Sequence, residues 1–168
     1  LGLVSAQELP DGLARPDAAA DALAQTPPGQ MALADWQASW SVDFAAPAAT
    51  VAPTPALLQG RTVAVARDVA FSFIYPANID CLRQLGAQVV FFSPLQDAAL
   101  PPCEALWLPG GYPELHAEQL AANAPLRASL QAHIAAGKPV WAECGGMVAL
   151  CESITLANGD CQPLWGLL

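Results

Sequence analysis

Four short apolar runs set the limits on how this chain can fold. Thr62-Val63-Ala64-Val65-Ala66, Gln88-Val89-Val90-Phe91-Phe92, Ala105-Leu106-Trp107-Leu108 and Pro139-Val140-Trp141-Ala142 are each too short for a helix and nearly free of polar residues. Between them lie helical patterns. Pro76 to Leu85 carries Ile79, Leu82 and Leu85 three apart, with Pro in the first turn and Gly86 just past the end. Leu115–Ala122 and Pro125–Ala136 follow the third run; in the second of them Leu126, Leu130 and Ile134 fall four apart and Gly137 closes the segment. Met147–Cys151 reads as the start of another helix. Strands that alternate with helices pair in parallel, because parallel neighbours need long crossovers. Strands that are apolar throughout belong in a sheet covered on both faces. Residues 61–168 therefore read as a doubly wound parallel α/β sheet. In such sheets ligands bind beyond the carboxyl ends of the strands, where the pairs Gly110-Gly111 and Gly145-Gly146 stand.

The first sixty residues have a different grain. They are rich in Ala and Pro and poor in strand signal. One short helix is expected around Asp17–Ala24. Another is expected around Gln30–Trp40, where Met31, Leu33 or Ala34, and Trp36 or Trp40 form a stripe. Residues 45–60, with Pro47, Pro53 and Pro55, read as an extended linker. The expected division is thus 1–44, a linker at 45–60, and 61–168.

Charge narrows the partners. Fifteen Asp/Glu against six Lys/Arg leave a net charge of −9 in 168 residues. A chain so acidic is a poor ligand for nucleic acid or an anionic membrane surface. It has no apolar run long enough for a transmembrane helix. Five cysteines without a Cys-x-x-Cys pair argue against a zinc site or a disulfide framework, and for a reducing cytoplasm. The first residue is Leu1, not Met, and there is no basic leader region, so the expectation is a stretch of a longer protein.

The chemistry concentrates at Val140-Trp141-Ala142-Glu143-Cys144-Gly145-Gly146-Met147. A cysteine at a strand–turn–helix junction, with small Ala142 two before and Gly146 two after, fits a nucleophile elbow. The elbow aims the side chain out of the sheet and places it at a helix N-terminus, which favours thiolate. The backbone N–H of Gly145 is then placed to hold an oxyanion. The bland alternative is an inert core cysteine. The small residues around Cys144 weigh against it, whereas Cys151 reads as core, Cys81 as part of a helix beside Leu82, and Cys103 and Cys161 as loop residues without a motif. Leu108-Pro109-Gly110-Gly111-Tyr112-Pro113-Glu114 is the second element. Taken alone it is ordinary turn chemistry. Opposite an elbow, its paired glycines let backbone approach closely and supply a second oxyanion N–H. It is not a phosphate loop: Gly137-Lys138 runs into Pro139, without the spacing a Walker motif requires.

A thiol nucleophile needs a base. The chain has only two histidines. His133 reads as a surface or edge residue; His116 lies nearer the site in sequence but must still be brought to Cys144. The expected base lies beyond residue 168.

These motifs carry a resemblance. Leu108 to Glu114 and Ala142 to Met147, together with Val63 to Phe71 and Phe91 to Leu95, resemble the glutaminase domain of the cobyrinic acid a,c-diamide synthase family, over about residues 61–168. Leu1 to Val4 resemble, more weakly, the end of that family's synthetase domain, which would make residues 1–44 a remnant of it. The resemblance implies a flavodoxin-like, class I glutamine amidotransferase fold interrupted at its C-terminal side. It implies a cytoplasmic two-domain enzyme of cobalamin biosynthesis, in which ATP and Mg²⁺ serve the synthetase domain and this stretch binds neither. Its substrates would be glutamine and a tetrapyrrole, cobyrinic or hydrogenobyrinic acid. Carried over by position, Cys144 is the nucleophile, Gly111 and Gly145 the oxyanion positions, and Gly110, Tyr112 and Glu114 parts of the substrate loop. The catalytic histidine lies downstream of residue 168, so the isolated stretch is expected to be inactive. Three alternatives stay open: a cobyric acid synthase-like amidotransferase, a cysteine hydrolase of the same fold, and a non-catalytic domain. Gly145 directly after the cysteine, where such hydrolases often have histidine, separates the second. A homodimer through an open sheet edge stays open too.

Overall fold

A computed structural model describes residues 14–45, 55–156 and 158–168. The chain divides into two units, Leu1–Thr50 and Val51–Leu168. Most of the expected linker, residues 46–54, and the first thirteen residues of the expected remnant lie outside the described residues.

The described residues of the first unit, 14–45, are mainly helical. α1 spans Ala14–Ala24, a 3-10 turn Pro28–Gln30, and α2 Leu33–Trp40. The second helix starts three residues later than the periodicity predicts, because Pro27-Pro28-Gly29 takes the chain through its own tight turn first. Trp36 and Trp40, one helical turn apart, meet with ring centroids 4.8 Å apart.

In the second unit, the described residues form a four-stranded parallel sheet from β1 (Thr62–Ala66), β2 (Gln88–Phe92), β3 (Ala105–Leu108) and β4 (Val140–Ala142), in the order β2-β1-β3-β4. The crossovers are α3 (Pro76–Gln84) and the pair α4 (Ala117–Ala122) and α5 (Ala124–Ala135). This is the flavodoxin-like winding, with its switch point between β1 and β3. α6 (Gly145–Leu150) follows β4 directly. An antiparallel hairpin, β5 (Ser153–Thr155) and β6 (Cys161–Pro163), comes last; Cys161 thus opens a strand rather than lying in a loop.

Side chains on β1 alternate between faces. Ala64 and Ala66 join Leu106, Leu108 and Phe92 against Leu120, Leu126, Leu130, Leu150 and Trp165. Val63 and Val65 join Trp107 against Ile79 and, less deeply, Leu82 of α3. Small alanines on one face let the heavier helical layer come close. Asn123 caps α5: its side-chain oxygen accepts from the Leu126 N–H at 3.3 Å, and its amide donates to the Pro94 and Asp97 carbonyls. Gly86 and Gly137 close α3 and α5 at φ 91° and 68°, a region costly for any other residue. Residues 55–60, expected in the linker, turn back so that the Leu58 N–H donates to the Leu85 carbonyl and Leu58 packs on the second core cluster. The described part of the α/β unit thus reaches back to residue 55, because Leu58 has an apolar surface to cover.

Candidate active site

The ends of β1, β3 and β4 converge on Cys144. Among the described residues Cys144 is the one non-glycine with positive φ, at φ 49°, ψ −121°. A backbone held there costs about 1–3 kcal/mol and persists only where its surroundings enforce it. The enforcing contacts are visible. The Glu143 N–H donates to the Leu108 carbonyl at 3.2 Å, tying the elbow to β3. The N–H groups of Met147 and Val148 both donate to the Cys144 carbonyl at 3.1 Å, closing the first turn of α6. On the opposite face of the sheet the Trp107 indole N–H donates to the Glu143 carboxylate at 3.2 Å. The thiol itself is exposed. α6 has only six residues, so backbone N–H groups, not a long helix dipole, are what the elbow offers an anion.

Gly146 is required by packing. A Cβ there would overlap the Leu108 carbonyl oxygen and lie 2.6 Å from its carbon. Gly146→Ala is expected to cost about 3 kcal/mol, the upper end for overpacking, in a urea melt. A cost below 1 kcal/mol would mean that α6 does not press on β3 as described.

The Gly110-Gly111 loop meets the elbow. A Cβ on Gly145 would stand 2.8 Å from the Gly111 carbonyl oxygen and 3.0 Å from its nitrogen; one on Gly110 would stand 3.3 Å from the Cys144 Cβ. The two backbones touch: a side chain on Gly145 has no room against Gly111, and one on Gly110 would crowd Cys144. The N–H groups of Gly111 and Gly145 have no acceptor among the described residues. Two free donors beside one exposed thiol can hold a tetrahedral oxyanion. Tyr112 stands against Phe73, ring centroids 5.1 Å apart and edge-to-face, and the Phe73 N–H donates to the Gly110 carbonyl at 3.0 Å. This pair lies beside the two glycines. Glu114 is half-buried in the following 3-10 turn, Pro113–His116. Sequence reasoning missed Phe73, which had no motif of its own. A 440 Å³ apolar pocket lined by Leu82, Trp107, Trp141 and Glu143 lies on the sheet's other face, and Cys144 does not line it.

Neither histidine is hydrogen-bonded to Cys144. His133 is buried, not at the surface as expected. Its Nε2 stands 3.3 Å from the Pro139 carbonyl and its Nδ1 3.8 Å from the Cys103 sulfur, at the end of the sheet where β3 and β4 begin. The Cys103 and Pro139 segments cover it, each facing one ring nitrogen. His116 has its Nε2 buried without a hydrogen-bond partner. Cys151, expected in the core, is half-buried.

The thiols differ in a testable way. Burial pushes the Cys103 thiol above its ordinary range, against the pull of nearby Lys138. A thiol-selective disulfide reagent is expected to modify Cys81, Cys144 and Cys161 in the native chain and Cys103 only after unfolding. The raised pKa also has a sign. The folded state holds the Cys103 proton more tightly than the unfolded state. The stabilisation is therefore complete below the unfolded thiol's pKa, about 8.5, and is lost as pH rises through the folded value. Chemical denaturation between pH 7 and 10 is expected to show this loss, reduced in Cys103→Ala.

An open parallel sheet in the order β2-β1-β3-β4, with a cysteine turn packed against a paired-glycine loop, defines a class, the flavodoxin-like α/β domains. Comparison with known proteins places the chain within it. Residues 62–168 match the CobB/CobQ-like glutamine amidotransferase domain, and the chain belongs to that family. It is 50% identical, over its whole length, to hydrogenobyrinate a,c-diamide synthase of Stutzerimonas stutzeri, and 49% to that of Pseudomonas aeruginosa; it spans 37% of each. It is 41% identical to cobyrinate a,c-diamide synthase of Herminiimonas arsenicoxydans, again spanning 37% of that protein. Among solved structures, a candidate peptidase E protein from Listeria monocytogenes shares the fold at TM-score 0.51 and 18% identity, over 66% of this chain and 64% of that one.

Proposed function

We propose that this chain is the glutaminase part of a hydrogenobyrinate or cobyrinate a,c-diamide synthase, releasing ammonia from glutamine for amidation of the a and c carboxylates of a tetrapyrrole. The observation that carries the reading is the contact of the strained Cys144 elbow with the Gly110-Gly111 loop, which leaves two N–H donors free beside the thiol. In this reading the Cys144 thiolate attacks the side-chain amide carbon of glutamine. Gly111 and Gly145 hold the oxyanion, and Gly110, Tyr112 and Glu114 shape the substrate loop. Ammonia leaves, and water hydrolyses the γ-glutamyl thioester. The base that activates the thiol and protonates the leaving amine is assigned to a histidine beyond residue 168, which would leave the isolated stretch inactive.

Residues 1–44 are assigned to the synthetase part and residues 61–168 to the glutaminase part; of the expected join, residues 45–60, the last six pack with the glutaminase part. ATP and Mg²⁺ belong in this reading to the synthetase part. The sequence has no phosphate-loop spacing, and no group of three metal-ligating side chains occurs among the described residues. No helix of the described residues is long and apolar enough to cross a membrane; a cytoplasmic enzyme acting on small molecules, not nucleic acid, is the proposal.

The test is product analysis with the full-length synthase, ATP, Mg²⁺ and glutamine. A product carrying amides at the a and c positions supports the reading. Amides placed at other carboxylates would assign the chain to a cobyric acid synthase-like enzyme instead. Parallel assays with cobalt-containing and cobalt-free substrate separate the cobyrinate and hydrogenobyrinate forms.

A further inference from the structure

One half-buried carboxylate joins two loop ends, after β1 and after β2, that the glutaminase reading uses only in part. Asp68 follows β1 and makes four side-chain hydrogen bonds. Its Oδ1 accepts from the Ala70 N–H at 2.9 Å and the Phe71 N–H at 3.3 Å. Its Oδ2 accepts from the Ser93 hydroxyl at 2.8 Å and the Leu95 N–H at 3.0 Å, at the end of β2. The turn so fixed presses directly on the glycine loop. The Tyr112 N–H donates to the Ala70 carbonyl at 3.0 Å, and a Cβ on Gly111 would stand 2.8 Å from the Ala70 carbonyl carbon and 3.0 Å from the Phe71 Cα. Gly111 is therefore held between the Ala70–Phe71 turn on one side and Gly145 on the other.

We propose that Asp68 is a positioning residue for the oxyanion site: through the Ala70–Phe71 turn it sets where the Gly111 N–H stands relative to Cys144. This rests on the glutaminase reading and deepens it. A carboxylate that accepts four hydrogen bonds fixes the turn more firmly than an amide, which has one oxygen to offer. A donor displaced by about 1 Å from the developing oxyanion loses most of its effect on the transition state and little of its effect on ground-state binding.

The experiment uses the full-length synthase with Asp68→Ala, Asp68→Asn and Cys144→Ala. Glutamine hydrolysis and iodoacetamide alkylation of Cys144 are measured on the same preparations. Alkylation forms a carbon–sulfur bond with loss of iodide and creates no oxyanion, so it does not depend on Gly111. For Asp68→Ala the kcat for glutamine is expected to fall about 10²-fold, with KM changed less than about threefold and the alkylation rate within about twofold of the parent. Asp68→Asn, which keeps the shape and one acceptor, is expected to fall about tenfold; should Asp68→Ala not fold, Asp68→Asn carries the same test. Two results overturn the proposal: kcat within about threefold of the parent in the folded variants, or a proportional loss of hydrolysis and alkylation, which would show general loosening of the elbow. Cys144→Ala separates this from the underlying reading. Hydrolysis that survives Cys144→Ala sinks the glutaminase assignment itself, whereas an inactive Cys144→Ala beside a fully active Asp68→Asn sinks the Asp68 proposal alone.

Discussion

On the proposed function, Cys144→Ala in the full-length protein is expected to lower glutamine-dependent amidation by about 10⁴-fold or more, the scale on which covalent nucleophiles are lost. The reaction supplied with free ammonia is expected to run at the parent rate. The thiol is exposed at a backbone conformation that no other described non-glycine residue adopts. The two N–H groups beside it have no acceptor among the described residues. Alanine removes the atom that attacks and leaves the backbone donors in place, so the ammonia-using half of the reaction keeps its structure. A variant that lost both donors' activities together would point to a folding defect; one that kept glutamine activity would remove Cys144 from the chemistry.

Trp165→Ala is expected to have the largest effect on stability, about 3–5 kcal/mol for a fully buried aromatic, or roughly 10 °C in Tm. Trp165 is wholly buried. It stacks on Phe71 with centroids 6.0 Å apart and rings 11° from parallel, and its indole N–H donates to the Leu120 carbonyl at 3.2 Å. Its own carbonyl accepts from the Arg127 side chain. Alanine leaves a cavity and removes one of the two donors to the Leu120 carbonyl, which still accepts from the Asn123 N–H. Because Phe71 lies in the turn that Asp68 fixes, the loss also reaches the site. Trp165→Phe keeps the stacking and is expected to cost less than half as much. A urea melt that shows under 1 kcal/mol for the alanine variant would contradict this packing.

How far these features are visible without coordinates depends on their range. β1, β2 and β3 lie where their apolar runs predict, and the turns at Gly86 and Gly137 mark the helix ends, because each signal is local. The elbow is visible for the same reason: Ala142, Cys144 and Gly146 stand within five residues of one another. Its meeting with Gly110-Gly111 is not, since that depends on β3 and β4 being neighbours in the sheet. Asp68 looks like one more loop carboxylate until Ser93 and Leu95 are seen to converge on it. His133 lies among small residues that suggest a solvent edge; its burial depends on Cys103 and Pro139, which are distant in sequence or beyond the helix end and meet its ring only in the fold. β5 and β6 have three residues each, too few to show a period.

The central claim is that Cys144 forms the bond to glutamine. The most direct measurement is mass mapping of the full-length protein after incubation with 6-diazo-5-oxo-norleucine, whose diazo carbon loses nitrogen as sulfur attacks. The expected result is one adduct, on the peptide carrying Cys144, blocked by excess glutamine. An unmodified Cys144 in protein that still hydrolyses glutamine would contradict the account.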